Sequence, residues 1–317
     1  MPASRTAGSS QAGSRVAGVV ISHAEKVLWP DEGITKLDLA RYYERVGPTL
    51  LKYVAHRPLT LRPFPRGIDH PGFYLKRAPA GRPSWISTWR DVATSARRPL
   101  DYVVATRVRT LVWLAQYNAI EVHTWLSRID RPERPDWAVI DLDPPSEPDA
   151  AGWQHLVQAA QAAREWLEAR GLRAFPKLSG QTGLHLLVPL LRVHDFETVR
   201  RFFATLAHEL CTALPDVLTT EYETAARQGR ILIDYAQNAY GKSTVAPYSV
   251  RPRPGAPVAA PVTWEELDDP QLRSNRWTLC TIEQRLQQAG DVLAPALQLR
   301  QRLPRAIQST GDHRPGV

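Results

Sequence analysis

The chain has 317 residues, 43% hydrophobic and 23% charged, which is the composition of a globular protein long enough to bury a substantial core. Forty Lys and Arg against 32 Asp and Glu leave a formal charge of +8, and such a surface favours encounter with polyanions, nucleic acids among them. Cys211 and Cys280 stand apart from any CxxC or histidine cluster, which argues against a thiolate zinc site and fits buried, reduced thiols in a cytoplasmic protein. The longest apolar run near the N-terminus, residues 16–21, is too short for a signal core or a membrane span, so no membrane partner is expected.

Residues 1–16, rich in Ser, Ala, Gly, Arg and Gln, lack periodicity and read as a disordered basic tail, and 304–317 read as a C-terminal tail. No Gly/Ser linker or internal repeat divides residues 17–303, so they are expected to form one catalytic domain, with stiff proline loops at 57–65, 131–135 and 251–261. Apolar spacing predicts a helix over 37–55, with Thr35 as N-cap and Asp38 at the third helical position. Strands are expected at 58–62 and 102–105. A second series follows: strand 138–142, helix 152–170 stopped by Gly171, strands 173–175 and 184–189, helix 196–213, and strands 217–220 and 230–235. This strand–helix–strand–strand–helix–strand order over 137–235 predicts an α/β or α+β fold with a split βαβ sheet layered by helices.

The chemistry concentrates in that second series. In Trp137-Ala-Val-Ile-Asp141-Leu-Asp143-Pro-Pro145 an apolar strand ends in two acids at spacing two, so both carboxylates leave the same face. Two such carboxylates repel unless a cation lies between them, which suits hard, oxygen-seeking divalent ions. Taken alone, the pair reads equally as a solvated strand end, or as the diphosphate site of a nucleotide-sugar transferase. Asp234 ends a second apolar strand, and if the two strands are neighbours, three carboxylates converge at one sheet edge, as two-metal displacement at phosphorus requires. Between them, Lys177-Leu-Ser179-Gly180-Gln-Thr-Gly183-Leu-His185 offers a hydroxyl, backbone N–H groups and an imidazole to an anion, or forms a plain Gly-rich hairpin. It is neither a Walker A loop nor a nucleophile elbow. Arg227, Lys242, Arg251 and Arg253 flank Asp234 in sequence, and guanidinium forks match phosphate oxygens.

Asp-Leu-Asp-Pro, then Ser-Gly-x-x-Gly-x-His, then an apolar run ending in Asp234 resembles the three ordered motifs of the archaeo-eukaryotic primase superfamily. More narrowly, the chain is similar to the polymerase domain of bacterial ligase D, through supporting stretches at 23–30, 59–65, 114–123, 244–251, 254–259 and 264–267, and the resemblance runs from about residue 19 to 290. It implies a primase-polymerase fold with an RRM-like catalytic sheet and a second α/β half, performing template-directed addition of nucleotides to a 3′-hydroxyl in end-joining repair, with ribonucleotides preferred. Asp141, Asp143 and Asp234 would hold two Mn2+ or Mg2+ ions. Ser179, Gly180, His185, Arg251, Lys242, Arg227 and His123 would surround the NTP or dNTP, and Gln237 stands near enough to Asp234 to touch the sugar. Lys26 and Lys36 would grip a downstream 5′-phosphate, with Phe73 and Tyr74 stacking nearby. Several relatives have lysine where this chain has Thr182, which puts one triphosphate contact in doubt. Taken as a full chain, it is expected to act at the nucleoid on gapped or broken DNA, meeting a ligase and a Ku-like end-binding protein as separate partners. A non-catalytic DNA-end bridging module and a nucleotide-sugar transferase are the competing readings.

Overall fold

The computed structural model describes residues 14–93 and 98–304. The expected tails lie outside these residues, except for Pro304 of the second and for Ser14–Val16, inside the first, which form strand β1 and pair with β2 (Val19–Ile21). β3 (Val27–Trp29) and β4 (Ile34–Thr35) form a second short hairpin leading into helix α1 (Lys36–Val54). The start of α1 is fixed by a capping box: Asp38 N donates to the Thr35 hydroxyl and Thr35 N donates to the Asp38 carboxylate, satisfying two orphan groups at once. β5 (Pro58–Pro63), β6 (Thr88–Asp91) and β7 (Leu100–Val104) follow, then α2 (Val108–Gln116) and β8 (Ala119–Trp125). The expected strands at 58–62 and 102–105 are therefore present with shifted ends, whereas α2 had not been read from the pattern.

The second series contains β9 (Trp137–Asp143), α3 (Ala150–Glu168), β10 (Phe175–Leu178), β11 (Leu184–Pro189), α4 (Phe196–Ala213), β12 (Leu218–Thr219) and β13 (Ile231–Asp234). Its strands lie in the order β10-β11-β9-β13-β12, antiparallel except for the parallel β12–β13 pair, which is the anticipated split βαβ arrangement with one added strand. β10 runs four residues where a strand ending at Phe175 was expected, because Pro176 and Lys177 look out of place in a strand. Pro176 is tolerated because β10 is an edge strand, where a missing N–H costs no ladder bond. Further on, β14 (Ser243–Val245) joins the first half in a sheet of order β14-β8-β5-β7-β6, and α5 (Ile282–Ala289) is the last α-helix among the described residues.

The alternation along β9 explains the layering. Ala138, Ile140 and Leu142 enter one core with Leu156 and Ala160 of α3 and Phe203 and Leu206 of α4. Trp137 and Val139 face the other way and join a core built with α1, α2 and the first sheet. One face of the catalytic sheet is thus sealed by helices, while the other meets the N-terminal half and, beyond Val139, opens into a cleft that carries Asp141 and Asp143. At the far end of β9 the fully buried Arg57 forms a bidentate pair with Asp136, which ties the start of β5 to the start of β9. Cys211 is half-buried and Cys280 exposed, so the expectation of two buried thiols holds for neither fully; Cys280 follows the buried Leu279 and points outward from a turn. Among the described residues no helix is long and apolar enough to cross a membrane.

Candidate active site

Cross-strand register aligns the chemistry in one row. Lys177 of β10 stands opposite His185 of β11, His185 opposite Asp141 of β9, and Asp141 opposite Asp234 of β13. Directly opposed residues in an antiparallel pair have Cα atoms about 4.5–5.5 Å apart, so the four side chains are immediate neighbours. Asp143 lies two residues along β9 and therefore on the same face. The acids thus gather as anticipated, but across the middle of the sheet, where β9 is the central strand, and not at its edge. Pro144 and Pro145 end β9 at this point, since neither has an N–H to continue the ladder.

Burial, then the charges of Asp143 and Asp234, push the Asp141 carboxyl well above the usual carboxylate range; burial likewise raises Asp143, with Arg227 opposing. That repulsion is what a divalent cation relieves, and the hard oxygen donors suit one. Asp234 is committed elsewhere in this state. Its Oδ1 accepts from the Tyr222 hydroxyl at 2.7 Å and from Ala236 N at 2.9 Å, and its Oδ2 accepts from Gln237 Nε2 at 2.8 Å. Accordingly, among the described residues no group of three or more His, Cys, Asp or Glu side chains is close enough together to hold a metal ion as it stands.

The Ser179–Gly183 turn is built for close approach. A Cβ on Gly183 would lie 2.2 Å from Leu142 O, and one on Gly180, whose φ is +71°, would lie 2.7 Å from the Arg251 side chain. The turn's N–H groups are not all free for an anion, as the sequence suggested. Gln181 N and Gly183 N both donate to the Ser179 hydroxyl oxygen, the nearest acceptor in so tight a turn. Ser274 donates to Gly183 O, so the Ser179 proton goes to Ser274 Oγ.

A cavity of about 320 Å3 opens over this row and is lined by Asp141, Asp143, Ser179, His185, Lys242 and Arg251, among others; Tyr74, His123 and Gln237 also face it. Behind His123 and Arg251 of its wall the fully buried Glu121 pairs with Arg62 at 3.1 Å and Arg251 at 3.2 Å and accepts from His123 Nε2, so one carboxylate organises two guanidinium groups and an imidazole. Arg227 is turned toward backbone carbonyls of Glu221, Tyr222 and Asp143, which places it behind Asp143. Asn238 bridges the backbone of Val139 through both amide ends, so its side chain is consumed in extending the sheet.

Of the residues expected to meet DNA, Tyr74 also lines the cavity, whereas Phe73, Lys26 and Lys36 are not among its lining residues. Phe73 and Tyr74 are exposed, not part of a buried strand, with Arg62 5.1 Å above the Tyr74 ring and His123 edge-on to it. Lys26 donates to Pro65 O and Lys36 to Ser22 O. Lys36 is buried, and burial together with Lys26 lowers its ammonium pKa to about 8; two lysines held this close form a place that an anion would relieve.

The family model of the LigD primase-polymerase domain matches residues 35–293. The chain belongs to this family. It is 38% identical over 287 residues to the multifunctional non-homologous end joining protein LigD of Pseudomonas aeruginosa, covering 90% of this chain and 33% of that one. It is 35% identical over 285 residues to the multifunctional non-homologous end joining DNA repair protein LigD of Mycobacterium tuberculosis, covering 87% of this chain and 36% of that one. The chain therefore spans about a third of the length of these curated relatives. The solved polymerase domain of Mycobacterium tuberculosis ligase D, in complex with DNA, superposes with a TM-score of 0.81 at 34% identity, over 88% of this chain and 98% of that one. Membership of a primase-polymerase family places the chain among the DNA-directed nucleotidyltransferases, and its two five-stranded sheets are those of that fold.

Sequence reasoning missed Glu121, Lys177, Arg62, Tyr222 and Ser274 as members of the site. Glu121 and Lys177 did leave a signal: each is a charge inside an otherwise apolar strand, and a charge buried there requires a partner.

Proposed function

We propose that the chain performs metal-dependent, template-directed nucleotidyl transfer at gaps and broken DNA ends, with Asp141, Asp143 and Asp234 as the acidic triad. The observation that carries this reading is the shared register of Asp141 and Asp234, with Asp143 on the same face of the central strand. When bound there, two divalent ions, Mn2+ by preference, would lower the pKa of a primer 3′-hydroxyl and neutralise charge on the triphosphate. For Asp234 to join such a site, it has to exchange the Tyr222 hydroxyl or the Gln237 amide for the ion.

The other residues bind and orient. Arg251 is held by Glu121 at the cavity wall, where its guanidinium suits phosphate oxygens, and Gly180 lets the turn lie against its side chain. His185 and the Ser179 hydroxyl face the same space, and the exposed Lys242 adds a mobile point charge at the rim. Arg227 steadies the backbone of Asp143 from behind. Exposed Phe73 and Tyr74 offer base-sized platforms, each worth about 1–3 kcal/mol per stacked base.

The test is extension of a gapped duplex with Mn2+ or Mg2+, comparing ribo- with deoxyribonucleotides. Faster addition of ribonucleotides with Mn2+ is expected, and DNA binding with no extension under either metal would leave the bridging-module reading in its place. Lys26→Ala is expected to weaken binding to a duplex with a downstream 5′-phosphate about tenfold while leaving the 5′-hydroxyl duplex nearly unchanged, by fluorescence anisotropy at fixed salt. In the cell the same reading puts the protein at the nucleoid with a Ku-like end-binding protein and a ligase as partners.

A further inference from the structure

We propose that Ser274 is a positioning residue that sets the shape of the Ser179–Gly183 turn, so that two backbone donors of the turn, Gly180 N and Thr182 N, are left for a substrate phosphate. This rests on the reading of the turn as part of the triphosphate site, and it names the side chain, 95 positions from Ser179, that braces it.

Ser274 is buried, and the segment that carries it is fixed by its neighbours. Leu272 enters the core of the catalytic sheet, and Trp277 packs against both cores with Arg276 and Arg285 5.2 and 4.6 Å from its ring. A hydroxyl has one proton and two lone pairs. Ser274 spends its proton on Gly183 O at 2.8 Å, so in the 3.1 Å contact between the two hydroxyls Ser179 is the donor. Ser179 Oγ is then saturated, because it also accepts from Gln181 N at 3.2 Å and Gly183 N at 3.0 Å. Gly183 O in turn accepts from Ser179 N at 3.0 Å as well as from Ser274. One side chain thus braces both ends of the turn. Gly180 N and Thr182 N have no partner among the described residues. Gly180 is buried against Arg251, and an unpaired N–H on a buried residue calls for a partner. Free N–H groups on a tight turn beside a guanidinium form an anion-binding concavity. Packing alone asks nothing of the Ser274 hydroxyl, since alanine has nearly the same volume. Its removal would leave the buried Ser179 O–H without an acceptor, and Ser179 could find another only by rotating away from Gln181 and Gly183.

Amide hydrogen exchange, followed in 1H–15N spectra of the metal-free protein, reads the turn without substrate. In wild type Gln181 and Gly183 are expected to exchange about tenfold more slowly than Gly180 and Thr182, and equal rates at all four overturn the proposal. In Ser274→Ala the Gln181 and Gly183 amides are expected to speed up about tenfold while β9 and β11 keep their rates, and Ser274→Thr to recover most of the protection. Unchanged rates in Ser274→Ala overturn the proposal as well. In extension assays Ser274→Ala is expected to raise KM for the nucleotide about tenfold with a smaller effect on kcat, and to add nothing on the Ser179→Ala background. A fall in kcat alone, or equal effects on both backgrounds, would overturn it, since Ser274 would then act apart from the turn. Should Ser274→Ala fail to fold, the wild-type exchange pattern still decides, and it does so even if the protein extends no primer, in which case the polymerase reading fails separately.

Discussion

Asp141→Asn is expected to lower nucleotide addition about a thousandfold or more and, at the same time, to make the metal-free protein harder to unfold. The first effect follows from removing the carboxylate common to the register with His185 and Asp234, since metal-supplied charge stabilisation is worth several kcal/mol and each 1.4 kcal/mol is tenfold in rate. The second follows from the sign of the Asp141 shift. A carboxyl whose pKa is raised by folding binds a proton in the folded chain at pH values where the unfolded chain has lost it, so stability falls as pH rises from the ordinary carboxylate range through the folded value. Asparagine cannot ionise and escapes that loss. Primer extension checks the first effect, and thermal unfolding at pH 4 and pH 7.5 with and without Mn2+ checks the second. Wild type should gain from metal, by about 2.7 kcal/mol at a hundredfold excess over Kd, and the variant should not.

Glu121→Ala is expected to be the most damaging change outside the acidic triad. Glu121 is fully buried and pairs with Arg62, His123 and Arg251, so its loss leaves buried cationic charge without compensation and costs about 3–5 kcal/mol of stability. Burial pushes its carboxyl up, but the His123 hydrogen bond and the charges of Arg251, His123 and Arg62 hold it down to about 2. Because the folded pKa lies below the unfolded one, the stabilisation is complete above about pH 4.5 and is lost as pH falls toward 2. Urea unfolding at pH 7 should show the deficit, and it should shrink as the pH is lowered. Arg251 freed from Glu121 would also raise KM for the nucleotide more than it lowers kcat.

Much of this was legible in the residues because local rules and the global fold agree. Thr35 and Asp38 announce α1 by capping chemistry, α4 spans the residues its apolar spacing gave, and Asp141 and Asp143 show their shared face through period-two alternation. The order of elements from β9 to β13 suggested a split βαβ sheet, but whether β13 lies beside β9 stood only as a condition, which the register of Asp234 with Asp141 meets.

What escaped was information held between segments distant in sequence. Glu121 meets Arg62, 59 positions earlier, and Ser179 meets Ser274, 95 later; no periodicity carries such contacts. Lys36 reads as a surface charge at the start of a helix and proves buried because the 21–26 segment folds over it, with Ser22 O capping its ammonium. Gln237 sits beside Asp234 in sequence, which suggested a sugar contact, whereas its amide is spent on the Asp234 carboxylate itself. In each case the residue type was visible and its partner was not.

Calorimetric titration of Mn2+ into wild type and Asp234→Asn, with a gapped duplex and a non-extendable nucleotide present, tests the shared acidic site most directly. Two ions per wild-type molecule, and at least one lost in the variant together with extension activity, is the expected result. Equal binding and equal extension by the two proteins would contradict the account, whatever the register of β9 and β13.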